Sequence, residues 1–535
     1  MAEKNIPEKS EEHDHMHWAF TAVKKTIAEH GEQECYTCAS GVTPSGTVHI
    51  GNFRELITVD LVKRAFILSG LKARHIHSWD SYDVFRKVPK NLPDQDFLHT
   101  CLRMSIDEVP DTTGKTASYA EKYMKELEEL MPAVGISPDY KYQAKLYKEC
   151  IYADEIKQAL DNKETIKLIL DKYREEPLEA EWLPIAIFCD KCKKDTITTL
   201  KWNGEYMIYY ECSCGHKEEF DFREKGIVKL VWRVDWPMRW HYENVNFEPG
   251  GKDHSTEGGS YTTAQEIARK VWNKEPPTYL MYDFIKIKGQ GSKMSKSTGE
   301  LVTLGDCLEI YEPEIIRYLF ASTRTNTEFA ISFDLDVIKI YEDYDRDERI
   351  YYDIDSASDK DKEKVKWIYE LSQVEPDPKK LPSKMPLQVG FRQITTTLCI
   401  FQMNEEKAFE SYREMIKNAH DEKKLKARIK CAKNWIENYA DENFKFKLRE
   451  SKDESFVQAL DEKQKEALKK LKEVVLKETN PEKLNEQIYE IPKQLGMEMK
   501  DFYKLAYQAL IAKDKGPKLA NFILEIGKEK VSSLL

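Results

Sequence analysis

Thr43-Pro-Ser-Gly-Thr-Val-His-Ile-Gly-Asn52 joins two runs of different character. Ahead of it, Cys35-Tyr-Thr-Cys-Ala-Ser40 reads as a short buried strand, with Cys35 and Cys38 as core residues. Residues 41–47 are rich in Gly, Pro, Ser and Thr and read as a loop. Beyond them, Val48, Ile50, Phe53, Leu56, Ile57, Leu61 and Val62 recur at helical spacing. Strand, small-residue loop and helix, in that order, are how α/β proteins set a phosphate at a helix N-terminus. Gly46 and Gly51 let backbone approach a nucleotide. His49 and Asn52 lie three apart, share a face of the first helical turn and can both donate to phosphate oxygens.

A second segment, Lys293-Met-Ser-Lys-Ser297, supplies what the first lacks. It follows an apolar stretch that reads as a strand, residues 282–287, and the glycine-bearing Lys288-Gly-Gln-Gly-Ser292. Lys293 and Lys296 bring two ammonium groups to one loop, where they would stabilise charge on a departing pyrophosphate. The two segments together predict one ATP site. It takes Thr43, Pro44, Ser45, Gly46, His49, Gly51 and Asn52 from the first, and Lys293, Met294, Ser295, Lys296 and Ser297 from the second. His49, Asn52, Lys293 and Lys296 are its catalytic candidates.

A second strand, residues 73–78, ends in Trp79-Asp-Ser-Tyr-Asp83, which makes Asp80 and Asp83 pocket candidates. Further on, Cys189-Asp-Lys-Cys192 and Cys212-Ser-Cys-Gly-His216 flank a stretch alternating in β fashion, as in a zinc ribbon. Cys189, Cys192 and Cys212 would hold a structural Zn²⁺ with Cys214 or His216 as the fourth ligand, and the spacing leaves that choice open. Residues 227–234 read as a strand, and Gly250-Gly-Lys-Asp-His254 follows another. From Lys384 onward the pattern is helical.

The chain has 535 residues, enough for three or four domains, and its net charge of −11 excludes a wholly basic nucleic-acid coat. A local basic stretch remains: Lys423-Lys-Leu-Lys-Ala-Arg-Ile-Lys430 with Lys433, followed by Trp435 and Tyr439. It reads either as a solvated amphipathic helix or as an RNA backbone contact. Eleven cysteines, an odd number, argue against a disulfide framework. No apolar run reaches membrane-span length, so no membrane partner and a cytoplasmic location are expected, with a monomer as the expected state.

The paired motifs resemble the His-Ile-Gly-His and Lys-Met-Ser-Lys-Ser signatures of class I aminoacyl-tRNA synthetases, with Asn52 in place of the second histidine. More narrowly, residues 45–55, residues 79–83 with Arg86-Lys-Val-Pro89, and Gly251-Lys-Asp-His254 resemble the class I lysyl-tRNA synthetases. The likeness continues into Gly516-Pro-Lys-Leu519 and Ile526-Gly527. It implies an α/β, Rossmann-like catalytic domain split over residues 18–90 and 226–290. A zinc-binding insertion would occupy 91–225, a lysine-loop connection 291–355 and an all-α anticodon-binding domain 356–535. It implies ATP, Mg²⁺, L-lysine and tRNA(Lys), with Asp253 added to the ATP site. Lysine would lie among Gly41, Thr43, Asp80, Asp83, Trp232 and His254, and anticodon bases against Trp435, Phe444 or Phe446. Arg54 and Arg233 keep a glutamyl-tRNA synthetase open as the alternative enzyme, because glutamate would want an arginine. A catalytically silent tRNA-binding paralogue and a small nucleotidyltransferase are further alternatives; the intact lysines and the large helical end count against them.

Overall fold

The computed structural model describes residues 16–89, 92–288, 301–442 and 444–535. After a first helix, α1 (Trp18–His30), β1 (Tyr36–Val42) leads through the motif loop into α2 (Ile50–Leu68) and on to β2 (Ala73–Trp79). These elements and β3 (Asp139–Tyr142), β4 (Val245–Gly251) and β5 (Thr278–Tyr282) build one five-stranded sheet of order β3-β2-β1-β4-β5. Every pairing in it is parallel. That is a Rossmann-like order, and the connections leave β1 and β4 in opposite directions, opening a crevice at their carboxyl ends. Central β1 is buried on both faces, as a covered parallel strand must be, with Ser40 Oγ satisfied by His75 and His77. Helix α2 is buried along most of Ile50 to Phe66, with Asn52 and Glu55 half-buried on the face that lines the cavity, because it runs beneath the sheet and is covered again by α1 and by a helix at Pro313–Ser322.

Three local readings change. The edge strand β3 comes from within residues 91–225, so that stretch contributes to the catalytic sheet as well as the ribbon. The expected strand 227–234 stops at Leu230, and α3 (Trp232–Tyr242) begins at Trp232. Trp232, Trp236 and Trp240 recur every fourth residue and run along one helix face, the first pair stacked and the second tilted; a spacing of four keeps residues on one face of a strand as well as of a helix, so it could not tell the two apart. The expected strand 282–287 breaks at Asp283 and Phe284; β6 (Ile285–Lys288) leaves the sheet and pairs in parallel with β7 (Phe329–Ser332).

The ribbon is antiparallel, with strands at Ile197–Trp202, Met207–Cys212 and Lys217–Asp221. Its Cys189, Ile208 and Tyr210 share a core with Val234 and Met238 of α3. The helical end divides between two cores: Phe391, Leu398 and Trp435 belong to the same large core as Phe53 and Leu56 of α2, whereas Ala467 to Leu535 contribute to a second cluster. Among the described residues no helix is long and apolar enough to cross a membrane.

Candidate active site

The first turn of α2 is closed by its own motif side chains. His49 is the N-cap, and its Nδ1 accepts from the Gly51 N–H at 3.0 Å. Asn52 Oδ1 accepts from the His49 N–H at 3.3 Å. An Nδ1 that accepts leaves the proton of the neutral ring on Nε2, and an occupied Oδ1 leaves the amide NH₂. Burial lowers the His49 pKa and keeps the ring neutral. Both side chains thus present donors, and both line a cavity of about 740 Å³. Gly51 is required for this arrangement, since a Cβ there would stand 2.7 Å from His49 Cε1.

The cavity lies at the carboxyl ends of β1, β2, β4 and β5. Gly41, Thr43 and Ser45 form the wall from β1, and Asp80 and Asp83 lie at the end of β2. Trp232 and His254 face them from α3 and from the turn Lys252–His254. Pro44 and Gly46 belong to the same loop as Ser45, whose carbonyl accepts from the Tyr119 hydroxyl at 2.9 Å. The Asp253 side chain lies outside the described residues, as do Lys293, Met294, Ser295, Lys296 and Ser297. The two stems of that last stretch do line the cavity, through Ile287 on one side and Leu301 and Val302 on the other. The second stem docks on the motif itself: Ile50 N–H donates to Val302 O at 2.7 Å, and Thr303 bridges His49.

The acidic groups are not equivalent. Asp80 accepts from Arg239 at 2.7 Å, and Arg239 also meets Asp235 at 3.2 Å. Burial still raises the Asp80 pKa against that arginine. Asp83 is more exposed and has Lys229 at 3.6 Å and Arg86 at 4.0 Å. Two carboxylates that the motif reading passed over lie deeper. Glu55 accepts from the Gly41 N–H at 2.6 Å and from the Tyr282 hydroxyl at 2.9 Å. Glu248 is held by the indoles of Trp236 at 3.0 Å and Trp240 at 2.5 Å. Burial pushes Glu55 up to about 8, with Glu248 and Asp80 adding repulsion, and pushes Glu248 up to about 7. Among the described residues no cationic side chain pairs with Glu55. The sequence signal was present: Glu55 is a charged residue on the otherwise apolar run Phe53, Leu56, Ile57, three after Asn52 and so on its face.

The two arginines that suited a glutamate pocket are committed elsewhere. Arg54 donates to the carbonyls of Asp283, Phe284, Thr325 and Thr327. Arg233 donates to Gly258 O at 3.0 Å and Thr263 Oγ1 at 3.3 Å.

Away from the pocket, the sulfurs of Cys189, Cys192, Cys212 and Cys214 lie within 4.8 Å of one another, with the closest pairs at 3.6 and 3.8 Å. Zn–S bonds of about 2.3 Å in a tetrahedron set sulfurs roughly 3.8 Å apart, so this donor set fits zinc. His216 is outside the cluster, its Nε2 3.4 Å from Glu218 Oε2. The basic stretch in the helix Ala419–Asn438 is largely neutralised: Lys424 pairs with Glu348, Lys426 with Glu422 and Lys433 with Glu405. Arg428 is buried between Glu312 and Asp345, and Trp435 is buried with its Nε1–H on Phe333 O. Those two are core residues, which corrects the RNA-contact reading at both positions. Phe444 packs edge-on against Trp435 and Phe446 against Phe522, both partly buried.

A nucleotide-sized crevice at the switch point of a Rossmann-like sheet, closed by a helix-capping His-x-x-Asn, defines the class: residues 16–375 match the family model "tRNA synthetases class I (K)". The chain is 47% identical to the lysine–tRNA ligase of Borrelia garinii subsp. bavariensis, over 97% of this chain and 98% of that one. It is 41% identical to the lysine–tRNA ligase of Thermococcus kodakarensis, over 96% and 98%. It belongs to the class I lysine–tRNA ligase family. A solved glutamate tRNA ligase from Elizabethkingia meningosepticum aligns over 93% of this chain and 98% of that one at 14% identity. Its TM-score of 0.39 is too low to bear on the substrate.

Proposed function

We propose that the cavity activates L-lysine with ATP and passes it to tRNA(Lys), and that Glu55, with Tyr282, seats the lysine side-chain ammonium. One observation carries the reading: a deep carboxylate with no cation paired to it among the described residues, beside the two donors of the helix cap. Lysine brings the missing positive charge. Asp80 and Asp83 already have cations, so they serve as the outer acidic wall. Trp232 and His254 line the opposite side, and Gly41 and Thr43 border the α-carbon end.

The lysine carboxylate is ionised at pH 7 and needs no general base. One of its oxygens bonds to the α-phosphorus of ATP while the bond to the pyrophosphate oxygen breaks. Catalysis is then positioning and charge stabilisation. His49 Nε2–H and the Asn52 amide hold phosphate oxygens. Thr43, Pro44, Ser45, Gly46 and Gly51 shape the loop around the nucleotide, with Asp253 on the ribose side. Lys293 and Lys296 neutralise the leaving pyrophosphate, flanked by Met294, Ser295 and Ser297. Mg²⁺ travels with ATP. Class membership supports attack on the adenylate by the 2′-hydroxyl of the terminal adenosine, and activation only once tRNA is bound. A structural Zn²⁺ on the four thiols would fix the ribbon behind α3.

The test is aminoacylation of total tRNA with each of the twenty amino acids. Lysine-only charging supports the reading, and glutamate charging overturns the pocket while leaving the mechanism. Full-rate pyrophosphate exchange with lysine but no tRNA would refute the order of binding.

A further inference from the structure

Arg54 is a buried guanidinium with no carboxylate at ion-pair distance among the described residues, the Asp283 carboxylate acting on it only from farther off. Its Nη1 donates to the carbonyls of Asp283 at 2.5 Å and Phe284 at 3.2 Å. Its Nη2 donates to those of Thr325 at 2.8 Å and Thr327 at 3.3 Å. The ring of Phe329 lies 5.0 Å and that of Tyr282 5.8 Å from the guanidinium carbon. Burial draws its pKa down to about 10, still far above neutrality. Burying a charge this way is costly, and an apolar side chain of similar volume would serve folding as well. The four carbonyls belong to two segments that must be held together. Residues 283 and 284 form the break between β5 and β6, residues 325–327 precede β7, and Asp283 N–H itself donates to Thr325 O at 2.9 Å.

This break begins one residue after Tyr282, and Arg54 is one residue before Glu55. The Tyr282 hydroxyl reaches Glu55 Oε2 at 2.9 Å. We infer that Arg54 is a positioning residue for amino-acid selection: it clamps the Tyr282–Phe284 elbow to α2 so that the Tyr282 hydroxyl meets Glu55. One rigid helix turn then supplies both the carboxylate and the brace for its partner. The planar fork makes Arg suited to this work; a lysine ammonium cannot span carbonyls on two segments. The inference rests on Glu55 and Tyr282 as the seat of the lysine ammonium.

The experiment is a double-mutant cycle on the full chain, reading the KM for lysine and for ATP in aminoacylation of tRNA(Lys). Tyr282→Phe alone should raise the lysine KM about tenfold, the loss of one well-placed hydrogen bond to a charged group. Arg54→Lys should raise it by a similar factor with the ATP KM within about twofold, as expected when side-chain seating alone is lost. In the Tyr282→Phe background, Arg54→Lys should add less than about twofold. Equal effects of Arg54→Lys in both backgrounds, or equal rises in both KM values, would overturn the clamp while leaving the seat intact. An unchanged lysine KM in Tyr282→Phe would remove the seat, and the clamp's role with it. If Arg54→Lys does not fold, Phe329→Leu takes its place, since it removes the ring beside the guanidinium and must show the same split.

Discussion

Glu55→Gln separates charge from shape at the floor of the pocket. Glutamine keeps the volume, and its oxygen can still accept from Gly41 N–H and the Tyr282 hydroxyl, the two bonds Glu55 makes now. What goes is the counter-charge for a desolvated ammonium. Losing one member of a buried, hydrogen-bonded charge pair costs about 3 kcal/mol, or roughly a hundredfold in kcat/KM for lysine. Stability should move the other way. The folded-state pKa of Glu55, about 8, lies above the ordinary glutamate value of about 4.3. Between those values the native state holds a proton that the unfolded chain has lost, so Glu55 lowers stability as pH rises through that window. Glu55→Gln removes that penalty and should melt no lower than the parent at pH 8. The same titration should appear in the parent enzyme: its lysine KM falls from pH 6 to pH 8 as Glu55 ionises, and the variant's does not. The assays are lysine-titrated aminoacylation at saturating ATP and thermal melts across pH. A variant that melts lower and keeps its lysine KM would make Glu55 a structural carboxylate and return the ammonium to Asp80 or Asp83.

Gly51→Ala should leave α2 as stable as before, since alanine is the better helix former, yet displace the His49 ring that would stand 2.7 Å from the new Cβ. The expected loss is about tenfold or more in kcat/KM for ATP with the melting temperature unchanged; a normal ATP response would show that the ring position is immaterial. Lys296→Ala should lower kcat by about a hundredfold or more with a small change in lysine KM, measured by single-turnover charging; a lysine KM effect alone would take Lys296 out of the leaving-group role. Cys192→Ser should release one zinc per chain by metal analysis and raise the lysine KM, because the ribbon shares its core with Val234 and Met238 of α3. A zinc-free parent would discard the metal, and unchanged kinetics after zinc loss would uncouple the ribbon from the pocket wall.

The strand–loop–helix unit at residues 36–68 was legible because periodicity and loop chemistry agree there. The four-thiol cluster was legible from spacing, but not the choice between Cys214 and His216, which depends on how the hairpin turns. The strand order was not: β3 is four residues, mostly polar, and joins the sheet only through pairing with β2. Arg54 was legible as a charge near the pocket but not as a carbonyl clamp, and Glu55 stood out on its apolar run without its partners being readable. For Arg428 the charge on a helix reads as a solvated face, and only tertiary packing reveals that it is buried. Arg428 resembles a basic patch until Glu312 and Asp345 are seen on either side of it.

The cap of α2 also explains why asparagine suits position 52. The job there is to accept from the N-cap N–H while offering a donor to the cavity, and a primary amide does both with one group. Its charge state never changes, so the donor is present at every pH. His49 achieves the same end by being held neutral, with Nδ1 tied to Gly51 N–H and Nε2–H left over. Phosphate handling on this helix should therefore be flat with pH, and the acidic floor should carry the pH response. If ATP KM is constant from pH 6 to 8 while lysine KM falls, the two halves of the pocket are electrostatically separate. If both move together, the titrating group faces the nucleotide, and Glu248 rather than Glu55 becomes the residue to substitute first.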